Sequence, residues 1–374
     1  MYSTLISVAQ LQALQTTGAR LAVFDCTFDL MNPPAGHTQY VEQHIAGAQH
    51  ADLDQHLATH DAALRANGGR HPLPQREVFA AWLQSVGVNA DTQVVVYDRN
   101  GMNYCGRLWW MLKWCGHEAV AVLDGGLQAW MAAQGAVNTG EEAAHITGNF
   151  ALKPPLVQLV DTATVAQHLN DGTQTIVDAR GAPRYRGEVE PLDPVAGHIP
   201  GALNRPFNTN LNAHGFFKSA AELQAEFAVL LGSANPETVV HHCGSGVSAV
   251  PNVLAMEVAG LGRTARAGAK GRAVTSRPRP SAGIGPSTTS SSPERTCTSE
   301  RGYRVSTRCR RSCGCCLTAY CIRPGSAIAV RTASSQRFNA AGEMVKDTLP
   351  RTWCVDESDS RGLMRWRAGL ALAL

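Results

Sequence analysis

This sequence predicts an α/β fold in two tandem halves, each a small parallel sheet flanked by helices. Three observations carry the expectation. Short β-branched apolar runs alternate with helical patterns, the order expected of parallel βαβ units. The same landmarks return 154 or 145 residues further along the 374-residue chain, which marks an internal duplication. After residue 264 the pattern stops, so the second half is expected to lack its last strand and helix.

The elements follow in order. Ser7-Val8-Ala9-Gln10, after Leu5-Ile6, reads as a strand running into a capped helix, and Asp161-Thr162-Ala163-Thr164, after Leu159-Val160, repeats it. The strand-like Leu21-Ala22-Val23-Phe24-Asp25 is answered by Thr175-Ile176-Val177-Asp178. His44-Ile45-Ala46-Gly47-Ala48 is answered by His198-Ile199-Pro200-Gly201-Ala202. Gln93-Val94-Val95-Val96-Tyr97-Asp98 corresponds to Thr238-Val239-Val240-His241-His242-Cys243. The first half then closes with the strand before Leu123-Asp124-Gly125-Gly126 and a helix through Trp130. The expected division is a first domain at 1–135, a Gly-, Pro- and Asn-bearing connection at 136–155, a second domain at 156–264 and a tail at 265–374.

Charge makes the same division. The first 264 residues hold 14 Lys+Arg against 23 Asp+Glu, and the remainder holds 19 against 7, for a net of +3. That total is too small for a nucleic-acid binder. Apolar runs shorter than a bilayer span, and a start without a basic region, argue against a membrane or secreted protein and for the cytoplasm. Of the tail's 19 cations 17 are Arg, and seven of the 11 cysteines lie there. Three accounts of the tail compete: a disordered extension, a metal-binding module and a shifted reading frame. Cys313, Cys315 and Cys316 are too close together for two separated C-x2-C pairs. Arg without Lys, scattered Cys and a lost period favour the shifted frame.

The chemistry concentrates at Cys243-Gly244-Ser245-Gly246-Val247-Ser248. An apolar strand ends at a cysteine, a tight Gly-Ser-Gly loop follows, and Pro251 then sits in the first turn of a helix. Such a loop turns backbone N–H groups inward, and the helix start adds partial positive charge. The setting favours an anionic sulfur and makes Cys243 the candidate nucleophile. Most free cysteines are small core residues. Cys26, Cys105 and Cys115 fit that plainer description, whereas the loop and helix around Cys243 do not.

On these motifs, residues 1–264 resemble the two-domain rhodanese-like sulfurtransferases, which use thiosulfate or 3-mercaptopyruvate. The resemblance implies two tandem rhodanese-like domains, with the nucleophile in the second and its first-domain counterpart, here Asp98, lost. It implies that Cys243 takes a sulfur from the donor as a persulfide and passes it to cyanide or a thiol, dividing one transfer into two. In the mercaptopyruvate branch Ser245 would relay a proton with Asp54 and His71. Arg184 would hold the donor's anionic end, and Gly244, Gly246, Val247 and Ser248 would bind the substrate. The sequence departs from that branch after Glu190-Pro191, where Leu192-Asp193 replaces a second Arg. No metal or organic cofactor is implied, and a monomer acting on small molecules is expected. Taken alone, Asp54, His71 and Arg184 would be read as ordinary surface residues. A Cys-based phosphatase would need an Arg six positions after the nucleophile, where Ala249 stands. A regulatory binding module, inactive through its disrupted second domain, is the remaining alternative.

Overall fold

A computed structural model describes residues 1–143, 146–169 and 171–262, together with the backbone of short strands between 266 and 347. The chain divides into two compact units, Met1–Arg279 and Pro280–Leu374. Within the second unit the described backbone is antiparallel: strands at Thr296–Thr298, Arg304–Arg308, Leu317–Arg323 and Ser326–Val330 pair in sequence, and Ser335–Phe338 pairs with Met344–Asp347. Cys313, Cys315 and Cys316 lie outside the described residues.

The first unit holds both halves. The first runs β1 (Leu5–Ile6), α1 (Val8–Thr16), β2 (Leu21–Asp25), α2 (Pro34–Glu42), β3 (His44–Ile45), β4 (Gln49–His50), α3 (Arg76–Ser85), β5 (Gln93–Tyr97), α4 (Cys105–Trp114), β6 (Val120–Leu123), α5 (Gly126–Ala132) and β7 (Val137–Asn138). The second runs β8 (Leu159–Val160), α6 (Thr162–Gln167), β9 (Thr175–Asp178), α7 (Ala182–Arg186), β10 (Leu203–Asn204), α8 (Ala220–Leu231), β11 (Val239–His242), α9 (Val250–Val258) and β12 (Arg266–Gly268).

The two main sheets have the same topology. The first is ordered β1-β6-β5-β2-β4 and the second β8-β12-β11-β9-β10, with every pairing parallel. Even the register agrees: Asp25 lies opposite Tyr97 in the first sheet, and Asp178 opposite His242 in the second. The expected helix starts also form. Ser7 closes a capping box with Gln10, and the Asp161 carboxylate accepts the Thr164 N–H.

One expectation is corrected. The second sheet does not lack its last strand: β12 enters between β11 and β8, supplied by residues beyond the compositional break. A parallel strand needs only backbone N–H and C=O groups at the right spacing, so three residues fill the slot although their composition is foreign. Among the described residues no helix follows it. The 136–155 segment is more than a connection, because β7 pairs antiparallel with β3 and Phe150 is buried against the first half.

The halves share a core. One buried cluster runs from Phe24, Leu83 and Val94 through all three tryptophans of α4 to Val177, Phe227, Val253 and Met256. All ten residues of α4 are buried, and its Gly106 packs on Val250 and Pro251 at the start of α9. A Cβ at Gly106 would already lie 3.3 Å from Val250, so the two helix starts meet at the closest approach their side chains allow. Lys113 of α4 is fully buried and donates to Glu257 of α9 at 2.9 Å. A charged pair so placed adds little net stability but is costly to break on one side.

Candidate active site

Cys243 sits where β11 ends and α9 is about to begin. Its Sγ accepts the Gly246 N–H at 3.1 Å, and the thiol is nearly buried. Gly246 has φ of +80°, a left-handed conformation that turns its N–H back towards the sulfur and that a side chain would disfavour. Directly before the loop, His242 lies 3.5 Å from Asp178, whose carboxylate also holds the Arg180 guanidinium at 2.6 Å. At the start of α9, Asn252 accepts from Asn210 and donates to the Arg205 carbonyl. These buried bonds fix the helix that follows the loop.

Cys26, Cys105 and Cys115 behave as packing residues. Burial pushes the Cys26 and Cys105 thiols well above their ordinary value, with nearby Asp98 acting the same way, and pushes Cys115 up to about 11. They stay protonated and unreactive.

His71 and Asp54, expected as partners, lie side by side, with Nε2 at 3.4 Å from Oδ1. Burial, with Arg107 and Arg70 nearby, lowers the His71 pKa to about 4, so the ring is neutral at neutral pH. Burial raises the Asp54 pKa. Among the described residues no hydrogen bond links Ser245 to either group. Arg70, immediately before His71, reaches over the reactive loop so closely that a Cβ on Gly244 would run into its guanidinium. A side chain at 244 would displace the Arg70 guanidinium from the loop.

Arg184 is engaged rather than free. Its guanidinium donates to Glu190 at 2.7 Å and to Asp193 at 3.2 Å. Asp193 in turn accepts from Arg70 of the first half at 2.5 Å. Sequence reasoning had passed over two cations, Arg70 and Arg107. Arg107 is buried within α4, donates to the Leu57 and His71 carbonyls, and has its pKa lowered to about 10 by burial, with the Cys243 sulfur acting in the opposite direction. An Arg near the start of the largely apolar Cys105–Trp114 run, whose only other charge is Lys113, was the available signal, since such a charge is buried only with partners. Arg70 gave none, standing in a loop after two glycines.

A rhodanese-like domain model matches residues 7–133 and again 161–269. The chain belongs to the rhodanese-like sulfurtransferases. It is 42% identical over 262 residues to a Pseudomonas aeruginosa protein named as a probable 3-mercaptopyruvate sulfurtransferase, covering 68% of this chain and 91% of that one. A Mycobacterium tuberculosis relative carrying a thiosulfate sulfurtransferase name is 37% identical over 256 residues, 68% of this chain and 88% of its own. Among solved structures, the Escherichia coli 3-mercaptopyruvate enzyme superposes with a TM-score of 0.61 at 28% identity, over 72% of this chain and 100% of that one. The family match runs to residue 269 and so takes in β12, past the 264 boundary set by composition. Among the described residues no helix is long and apolar enough to cross a membrane, and no cluster of His, Cys, Asp and Glu could hold a metal.

Proposed function

We propose that the protein moves a sulfane sulfur from thiosulfate or 3-mercaptopyruvate through a Cys243 persulfide to cyanide or a thiol, as a cytoplasmic monomer. The observation that carries this reading is the Gly246 N–H aimed at Sγ in a loop followed by a helix start. The same donors that hold a thiolate would hold a persulfide anion. In the first step Sγ attacks the donor's transferable sulfur and an S–S bond forms. With thiosulfate the sulfur–sulfur bond of the donor breaks and sulfite leaves. With 3-mercaptopyruvate the carbon–sulfur bond breaks, and the departing enolate must gain a proton to become pyruvate. The donor's own thiol proton balances this step: neutral His71, oriented by Asp54, would take it and return it through Ser245 to the enolate, leaving Cys243 as a persulfide anion, while Val247 and Ser248 line the loop and Gly244 leaves room for the donor. In the second step the acceptor attacks the outer sulfur and Cys243 is released as thiolate.

Intact mass tests the reading. Protein incubated with either donor is expected to gain one sulfur atom, lose it to cyanide, and fail to gain it as Cys243→Ser. Soluble wild-type protein that gains no sulfur from either donor would instead favour a regulatory module.

A further inference from the structure

Three guanidiniums and three carboxylates crowd the side of the reactive loop. Arg180 pairs with Asp178 at 2.6 Å and with Glu190 at 3.2 Å, and Arg184 with Glu190 and Asp193. Arg70, arriving from the other half, pairs with Asp193 and overlies Gly244. Arg180 also donates to the Gly197 carbonyl and stands 3.9 Å from Asp193. The formal charge of these six groups is zero. An anion entering from solvent would make the cluster negative unless one carboxylate withdrew.

Asp193 is the carboxylate able to withdraw. Asp178 lies at the end of β9 with no exposed surface, and Glu190 is almost as deeply buried, accepting the backbone N–H groups of Leu192 and Asp193. Asp193 instead belongs to the 191–197 stretch, which has no helix or strand and in which Val195 is exposed. Its carboxylate is gripped by two guanidiniums from opposite halves, an arrangement that suits any carboxylate or sulfonate.

We infer that Arg70 and Arg184 together form the seat for the donor's anionic end, and that Asp193 fills this seat in the free protein as an internal competitor. Arg70 is then a binding residue contributed by the half without a nucleophile, and Asp193 a specificity-determining one. A donor must carry enough negative charge, suitably placed, to replace a carboxylate already bound. Neutral sulfur donors gain nothing from the seat. This inference deepens the sulfur-transfer reading, but its test does not depend on sulfur transfer.

The test is alkylation of Cys243 by iodoacetate and by neutral iodoacetamide, followed by mass spectrometry of the peptide that contains it, with and without pyruvate as an unreactive keto acid. In Asp193→Asn the iodoacetate rate is expected to rise on the order of tenfold while the iodoacetamide rate stays within about twofold. Pyruvate should also protect at a correspondingly lower concentration. Arg70→Gln should slow iodoacetate selectively and weaken pyruvate protection, and Arg70→Lys should restore part of both. Equal changes for both reagents, or slower iodoacetate reaction in Asp193→Asn, would overturn the inference and leave Asp193 as a clasp between the halves. Sulfur loading from thiosulfate, measured separately, decides the transfer reading whichever way the alkylation falls.

Discussion

Asp98 and Cys243 occupy the same place in two copies of one design. Each follows the central strand of its sheet, each precedes a helix that begins seven residues later, and each loop turns on a glycine of positive φ, Gly101 in one and Gly246 in the other. At Asp98 the carboxylate accepts four backbone N–H groups, from Asn100, Met102, Tyr104 and Cys105, at 2.8–2.9 Å. At Cys243 the sulfur accepts one, from Gly246. The loop is thus an anion cradle in both halves. The first has filled its cradle with its own carboxylate, and the second directs its Gly246 N–H at the Cys243 sulfur. Burial still raises the Asp98 pKa despite those four bonds, which shows how costly a fixed charge is in this position.

The comparison is most exposed to Asp98→Ala. Four donors would lose their acceptor together, and a loss of about 4 kcal/mol in denaturant unfolding is expected. Cys243→Ala should cost far less. If the two substitutions cost the same, the loops do not differ as described.

His71 of the first half adds a pH-dependent contrast. Its folded pKa of about 4 lies below the ordinary 6.5, so the folded state binds its proton less readily than the unfolded chain. Its contribution is therefore complete above about pH 6.5 and lost as pH falls towards 4. Between pH 7 and pH 4 the stability difference between wild type and His71→Gln should shift by about 3 kcal/mol in the variant's favour. A difference independent of pH would mean that the ring is not held neutral. Burial also lowers His241, to about 3, so the wild-type acid transition has a contribution from the second half as well.

The smallest effect concerns equivalent caps. Ser7→Ala and Asp161→Ala should each lower stability by about 1 kcal/mol, because each removes the acceptor for one orphan N–H of a helix start. Markedly unequal losses would show that the duplication preserved the fold without preserving its local energetics.

Much of this design was legible in the sequence. Cap residues, alternating apolar runs and repeated landmarks each report a local physical requirement, and all placed their elements correctly. The paired histidines illustrate the limit. His44 and His198 stand out as repeated residues, but their shared task emerges only in three dimensions: each stacks on a tyrosine, Tyr40 or Tyr185, and bonds that residue's carbonyl. Strand β12 escaped notice because a three-residue parallel strand needs no particular side chains. Arg70 escaped because its meaning depends on Asp193, 123 residues away in the other half. The Asp54–His71 contact came from family resemblance, since nothing local links an aspartate after one strand to a histidine in a later loop.

The complete enclosure of α4 has a consequence for such a duplicated chain. The first half carries Asp98 where the second carries Cys243, yet a change in its shape would be felt by both. Buried residues of α4 are also part of the surface on which α9 rests, Gly106 against Val250 and Pro251 and Lys113 against Glu257. A substitution there reaches the helix behind Cys243 without touching the reactive loop. Duplication here has not left a spare: the first half is the scaffold on which α9 of the second half rests.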